Sequence, residues 1–139
     1  MIVELVLLIV LLWIMFTQFG EPGVLSEVRR RYNILRENLP EKFSMLKRPV
    51  ILVANNGGGD IGYNVNKGYE VHLCLGDGNP DHVFHVLLHE LAHNTVPELE
   101  HTDQFWSNMN ELVEISTRLG IYNKIQYKMN FCGGVINDA

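Results

Sequence analysis

The sequence predicts an α+β fold: a small, mainly antiparallel sheet packed on one motif-bearing helix, preceded by an N-terminal transmembrane helix. Three observations lead there. Segments 24–39, 80–94 and 102–120 carry apolar residues at helical spacing, and the last two open on capping residues. Between them lie three short runs with β-branched or aromatic residues, at 49–54, 61–65 and 69–75. Ahead of everything, 2–19 reads IVELVLLIVLLWIMFTQF, with Glu4 as its single charge.

The apolar run comes first. Its length sits at the short end of what crosses a bilayer, about 20 residues with a lower limit near 17, and Trp13 and Phe19 stand where interfacial anchors belong. A cleaved signal peptide is the rival, but the segment lacks a basic n-region and a small-x-small cleavage site. A buried helix is the third reading. With Arg29, Arg30 and Arg31 shortly after the span and nothing basic before it, the positive-inside rule places the following domain on the cytoplasmic side. This divides the chain into an anchor (1–20), an amphipathic helix and linker (21–48) and a domain (49–139).

Glu21-Pro22-Gly23 is a turn that stops the first helix. Apolar residues at 24, 25, 28, 32, 35 and 39 then define one face of a helix that Pro40 ends. That face packs on the domain, in preference to lying on a membrane surface. Pro49 to Ala54 is a strand. The Gly-rich 55–60 is a turn and not a phosphate loop, because no GK[ST] and no helix follow it. Ile61 to Val65 and Tyr69 to Leu75 form a hairpin around Asn66-Lys67-Gly68. Asn79 caps, Pro80 suits the first helical position and Asp81 suits the positive end of the dipole, so a helix runs from Pro80 to about Asn94. Thr102 caps another, which Gly120 stops.

Composition narrows the function. A chain of 139 residues holds one small core. The net charge of -5 argues against a broad nucleic-acid surface, which needs Lys and Arg to neutralise phosphates. Cys74 and Cys132 read as two free thiols, in keeping with a cytoplasmic side, ahead of one disulfide or joint metal ligation.

The chemistry lies in His89-Glu90-Leu91-Ala92-His93. Residues i and i+4 share one helix face, so His89 and His93 can bind one metal ion from a rigid support. Glu90 projects beside that ion, placed to take a proton from water and pass it to a leaving amine. This is the H-E-x-x-H pattern of zinc peptidases. A catalytic zinc ion has three protein ligands, and His101, beyond the helix-ending Pro97, is the favoured third, with Glu98 and Glu100 as runners-up. His82 and His85 continue the same face upstream, as groups backing the ligands, as a second metal site or as packed side chains. His72 has no assigned role. Tyr63, Tyr69, Tyr122 and Tyr127 are candidates to stabilise an oxyanion.

The stretch HELAHNTVPELEHTDQFW resembles the WLM-type zinc metallopeptidases, whose pattern is HELAHN, a turn, then H[DST]xxF[WY]. The resemblance implies a zincin-like domain, Zn2+ as cofactor, His89, His93 and His101 as ligands, and Glu90 as general base. Asn94 and Phe105-Trp106 match accessory positions. The turn before His101 is longer than the family's usual Gly-Pro turn. The tail, Gly120-Ile121-Tyr122 and then Phe131-Cys132-Gly133-Gly134 through Asp138, is similar to WLM-like proteins of large DNA viruses.

The expected function is therefore a membrane-anchored zinc metallopeptidase acting on a protein or peptide, held to lipid through residues 2–19. The alternative is a zinc-containing structural virion protein that links an internal membrane to capsid proteins. Some WLM relatives act on DNA-associated proteins, but the acidic net charge and the missing basic arm count against that here.

Overall fold

The core grows from a helix whose apolar spacing leaves it no choice of face. A computed structural model of the chain describes residues 1–19, 22–55, 60–66 and 70–139. Within it, α2 (Gly23–Glu37) buries Leu25, Val28, Tyr32 and Leu35, and Leu39 continues the same stripe. Each such side chain contributes roughly 1.5–3 kcal/mol of transfer free energy. The stripe packs into the domain, as its amphipathic pattern requires. A 3-10 helix, Glu41–Leu46, follows Pro40 and adds Phe43 and Leu46 to the core.

The sheet has the strand order β1-β3-β2, built from β1 (Ile51–Asn55), β2 (Gly62–Val65) and β3 (Glu70–Cys74). β2 and β3 pair antiparallel, Tyr63 opposite His72, as the hairpin pattern predicts. β1 and β3 pair parallel, Leu52 opposite Val71. The sheet is thus mixed, because the chain returns to β3 beside β1 in the same direction only after running through β2. Val71 and Leu73, on the inward face of the central strand, are fully buried. The expected turn residues 56–59 and 67–69, and the turn at Glu21, lie outside the described residues.

Two helices complete the core. α3 (Pro80–His93) buries Val83, Phe84, Leu87, Leu88 and Leu91, and α4 (Asp103–Arg118) packs Phe105, Met109, Leu112 and Val113 against it. Gly120 closes α4 at φ 74°. The Ile121 and Gly120 N–H groups donate back to the Ser116 and Thr117 carbonyls at 3.1 and 3.0 Å, so the helix ends in a Schellman motif. A short antiparallel hairpin, β4 (Met129–Phe131) and β5 (Gly134–Ile136), finishes the chain. Its strands are too short to show a period in the sequence.

Two expectations are overturned. The N-terminal segment does form a helix, α1 (Ile2–Phe19), but among the described residues no helix is long and apolar enough to cross a membrane. Its 18 residues span about 27 Å at ~1.5 Å each, short of a ~30 Å hydrocarbon core, and Glu4 in the first turn shortens the apolar stretch further. The transmembrane helix, and with it the single-pass placement on the cytoplasmic side, is withdrawn. The cysteines are also not free thiols. Cys74, at the end of β3, is disulfide-bonded to Cys132 in the β4–β5 turn, because the hairpin folds back onto the end of the sheet.

Candidate metal centre

Local signals fix where each candidate ligand falls. The Asn79 side chain accepts from the Asp81 N–H at 2.9 Å and starts α3. Asp81 in turn receives Arg31 from α2 at 2.8 Å and the Asn123 N–H at 3.1 Å. From that start, the helical period brings His89 and His93 to one face. Thr102 accepts from the Phe105 N–H at 3.2 Å and starts α4, and His101 is the residue just before that cap. Residues 97–100 are exposed, so the loop is held from its first turn. There Asn108, buried on α4, donates to Thr95 Oγ1 at 2.9 Å, and Thr95 donates to the Ala92 carbonyl at 2.6 Å.

The result is a histidine triad. One ring nitrogen from each of His89, His93 and His101 lies within 4.8 Å of the others. His93 Nε2 and His101 Nε2 are 3.1 Å apart. A tetrahedral ion with Zn–N bonds of ≈ 2.0–2.1 Å separates its donors by about 3.3 Å, so small ring adjustments suit the three to one ion. Phe105, fully buried, packs against all three rings, with centroids 4.6–5.0 Å away. Trp106 stands at 5.4 Å from His101. Burial, then the neighbouring histidines, push His89 down to about 3, and His93 is lowered for the same two reasons. Imidazoles held neutral have the ligating form, so the donor set fits a metal ion.

Glu90, next to His89 on α3, lies under β2 and is 7% exposed. Burial raises its carboxyl to about 7, against a hydrogen bond from Asn64 that works to lower it. Asn64 Nδ2 donates to Glu90 Oε2 at 2.6 Å and to the Glu90 carbonyl at 3.1 Å, and Asn94 donates to Asn64 Oδ1 at 3.3 Å. β2 can lie this close because residue 62 is glycine: a Cβ there would come within 2.7 Å of Val86 Cγ1. Two cavities flank Glu90. One, of about 330 Å³, runs toward His85 and the β4–β5 hairpin. The other, of about 350 Å³, runs toward His93 and residues 96–99.

Other residues named from sequence fall differently. Glu98 and Glu100 are exposed and stand outside the triad. His82 pairs with Asp77 at 2.7 Å. His72 pairs with Glu70 at 3.1 Å and stacks on Tyr63. His85 is buried and bonded to Asp138. Tyr63 lines the larger cavity with Glu90 and His93, Tyr122 is committed to Asp138, Tyr127 is 82% exposed, and Tyr69 lies outside the described residues. Sequence reasoning missed Asn64. Its signal is an asparagine inside a strand, a residue type that strands usually avoid. In the sheet β3 is the central strand and β2 is an edge.

A helix with two histidines one turn apart, a third histidine from the next helix start and a buried glutamate between sheet and helix is the arrangement of a metallopeptidase-like domain. The chain belongs to the WLM domain family, whose family model matches residues 24–134. It is similar to "Uncharacterized protein R325" of Acanthamoeba polyphaga mimivirus, 33% identical over 123 residues that cover 80% of this chain and 62% of that protein. It is also similar to "Uncharacterized protein 136R" of Invertebrate iridescent virus 6, 28% identical over 116 residues, 79% of this chain and 57% of that one. The viral resemblance seen in the tail therefore holds, and the chain spans about three fifths of the length of these curated relatives. No solved structure matches it.

Proposed function

We propose that the chain is a zinc metallopeptidase that hydrolyses peptide bonds. The observation that carries this is the histidine triad His89, His93 and His101 beside a buried glutamate, Glu90, which lies under the sheet-edge strand β2 and lines one cavity with His89 and another with His93. His89, His93 and His101 would hold the ion. Zinc bound there would supply a Lewis acid to polarise a carbonyl and make water acidic enough to attack near neutral pH. Glu90, with a carboxyl raised to about 7, takes the proton from the attacking water and returns it to the leaving amine. Asn64 holds the Glu90 carboxylate in place through its 2.6 Å hydrogen bond. The outer edge of β2 offers backbone N–H and C=O groups to an extended peptide, which lies across α3.

The test is digestion of an unfolded protein such as denatured casein. Activity is expected to vanish with a chelator and return with zinc. Glu90→Gln is expected to cut the rate by roughly 10²–10⁴ while mass spectrometry still finds one zinc per chain. Unchanged cleavage in that variant would sink the mechanism.

A further inference from the structure

His85 lies one turn upstream of the ligands and is 6% exposed. Its Nδ1 is 2.8 Å from Asp138 Oδ1 and 3.2 Å from the Tyr122 hydroxyl. Asp138 also receives the Tyr122 O–H and, at 2.8 Å, the Ile125 N–H. A carboxylate can only accept, so the Nδ1 proton is spent on Asp138. In the tautomer that donates from Nδ1 alone, the ring's lone pair lies on Nε2. Among the described residues no hydrogen bond reaches that atom, although the ring lines the cavity beside Glu90.

A histidine kept only for packing would be sealed or use both nitrogens. This one is fixed on one side by two partners, Asp138 and Tyr122, and left available on the other. The cavity supports a purpose for it. Ile61, Val86 and Ile136 give it apolar walls, Asp60 and Glu90 add carboxyl groups, His89 of the triad borders it, and no Lys or Arg lines it among the described residues. The walls meet closely: a Cβ on Gly134 would come within 2.0 Å of Ile61 Cδ1. A long aliphatic stem ending in a cation matches such a space, methylenes along the walls and N–H donors at the polar end.

We infer that this cavity is a subsite for a lysine or arginine side chain next to the scissile bond, with His85 Nε2 accepting a hydrogen bond from its charged head. Asp138 and Tyr122 act through His85, as positioning residues that fix the ring's tautomer and direction. The assignment of the cavity to a substrate rests on the peptidase reading. The preference for a cation rests on the cavity alone.

Two measurements separate these. In the full chain labelled with ¹⁵N-histidine, at pH 8 and without metal, N-acetyl-lysine amide is expected to shift the His85 Nε2 resonance, and N-acetyl-norleucine amide is not. In the zinc-loaded protein, mass-mapped cleavage of casein is expected to favour Lys or Arg at one flanking position by about tenfold, the scale of a hydrogen bond to a charged group. His85→Gln should bring that ratio near one. Equal responses to the two amides, with cleavage that ignores Lys and Arg, overturn the subsite and leave the peptidase standing. A lysine-specific shift in a protein that never cleaves upholds the cavity's preference and overturns the peptidase. Because the resonance is read in the wild-type chain, the subsite stays testable even if His85→Gln fails to fold.

Discussion

Asn64 shows how much the placement of Glu90 depends on a residue that carries no acid–base chemistry of its own. Its amide binds both the carboxylate and the backbone carbonyl of Glu90, so it fixes the side chain and the helix turn together. Asn64→Leu is expected to lower kcat/KM roughly 10–100-fold, the usual cost of losing an outer-shell partner, with zinc content unchanged on mass analysis. Asp138 makes a different prediction. Burial works to raise its carboxyl, but hydrogen bonds from His85, Tyr122 and Ile125 outweigh that and leave it lowered from 3.8. A depressed folded pKa stabilises the fold fully above the unfolded value and is lost as pH falls through the folded one. Asp138→Asn should therefore be less stable than the parent at pH 7, and the gap between their urea midpoints should narrow as pH drops below 4. At this scale the sequence revealed His89, Glu90 and His93, because H-E-x-x-H spacing is local. It hid their supports, because Asn64 reaches Glu90 across 26 positions and Asp138 reaches His85 across 53.

Helices were the readable elements. Asn79 and Thr102 write their own caps into the chain, and Gly120 writes a stop, so α3 and α4 begin and end close to where the pattern puts them. Strands were readable as segments but not as partners. Nothing in Ile51 to Asn55 says that its neighbour is β3 and parallel, since that pairing is non-local. The β4–β5 hairpin escaped notice, with three-residue strands around a Cys-Gly turn. Its seat depends on Gly76, which has φ 51° and whose absent Cβ would lie 2.4 Å from Phe131 Cε2. Gly76→Ala meets both the left-handed backbone penalty and the Phe131 ring. It is expected to cost at least about 2 kcal/mol, seen as a lower urea midpoint with an unchanged α-helical signal.

Across the whole molecule the division of labour is uneven. Residues from α2 to β5 share one core, while the apolar side chains of α1 from Ile2 to Phe16 are exposed. Deleting 1–19 should thus change domain stability by less than about 0.5 kcal/mol, measured by urea unfolding of the two proteins side by side. The reading of α1 as a span rested on a length at the lower limit, and among the described residues no helix is long and apolar enough to cross a membrane. The disulfide has the opposite reach. Cys74 and Cys132 are 58 positions apart and enclose α3, α4 and every member of the histidine triad. The chain is in this sense a closed ring with two tails. A single cut by a protease at the exposed turn 97–100 would leave the pieces covalently joined. Such a nick is silent on a non-reducing gel and appears as two fragments only after reduction, so proteolytic wear of the protein would have to be looked for with a thiol in the sample.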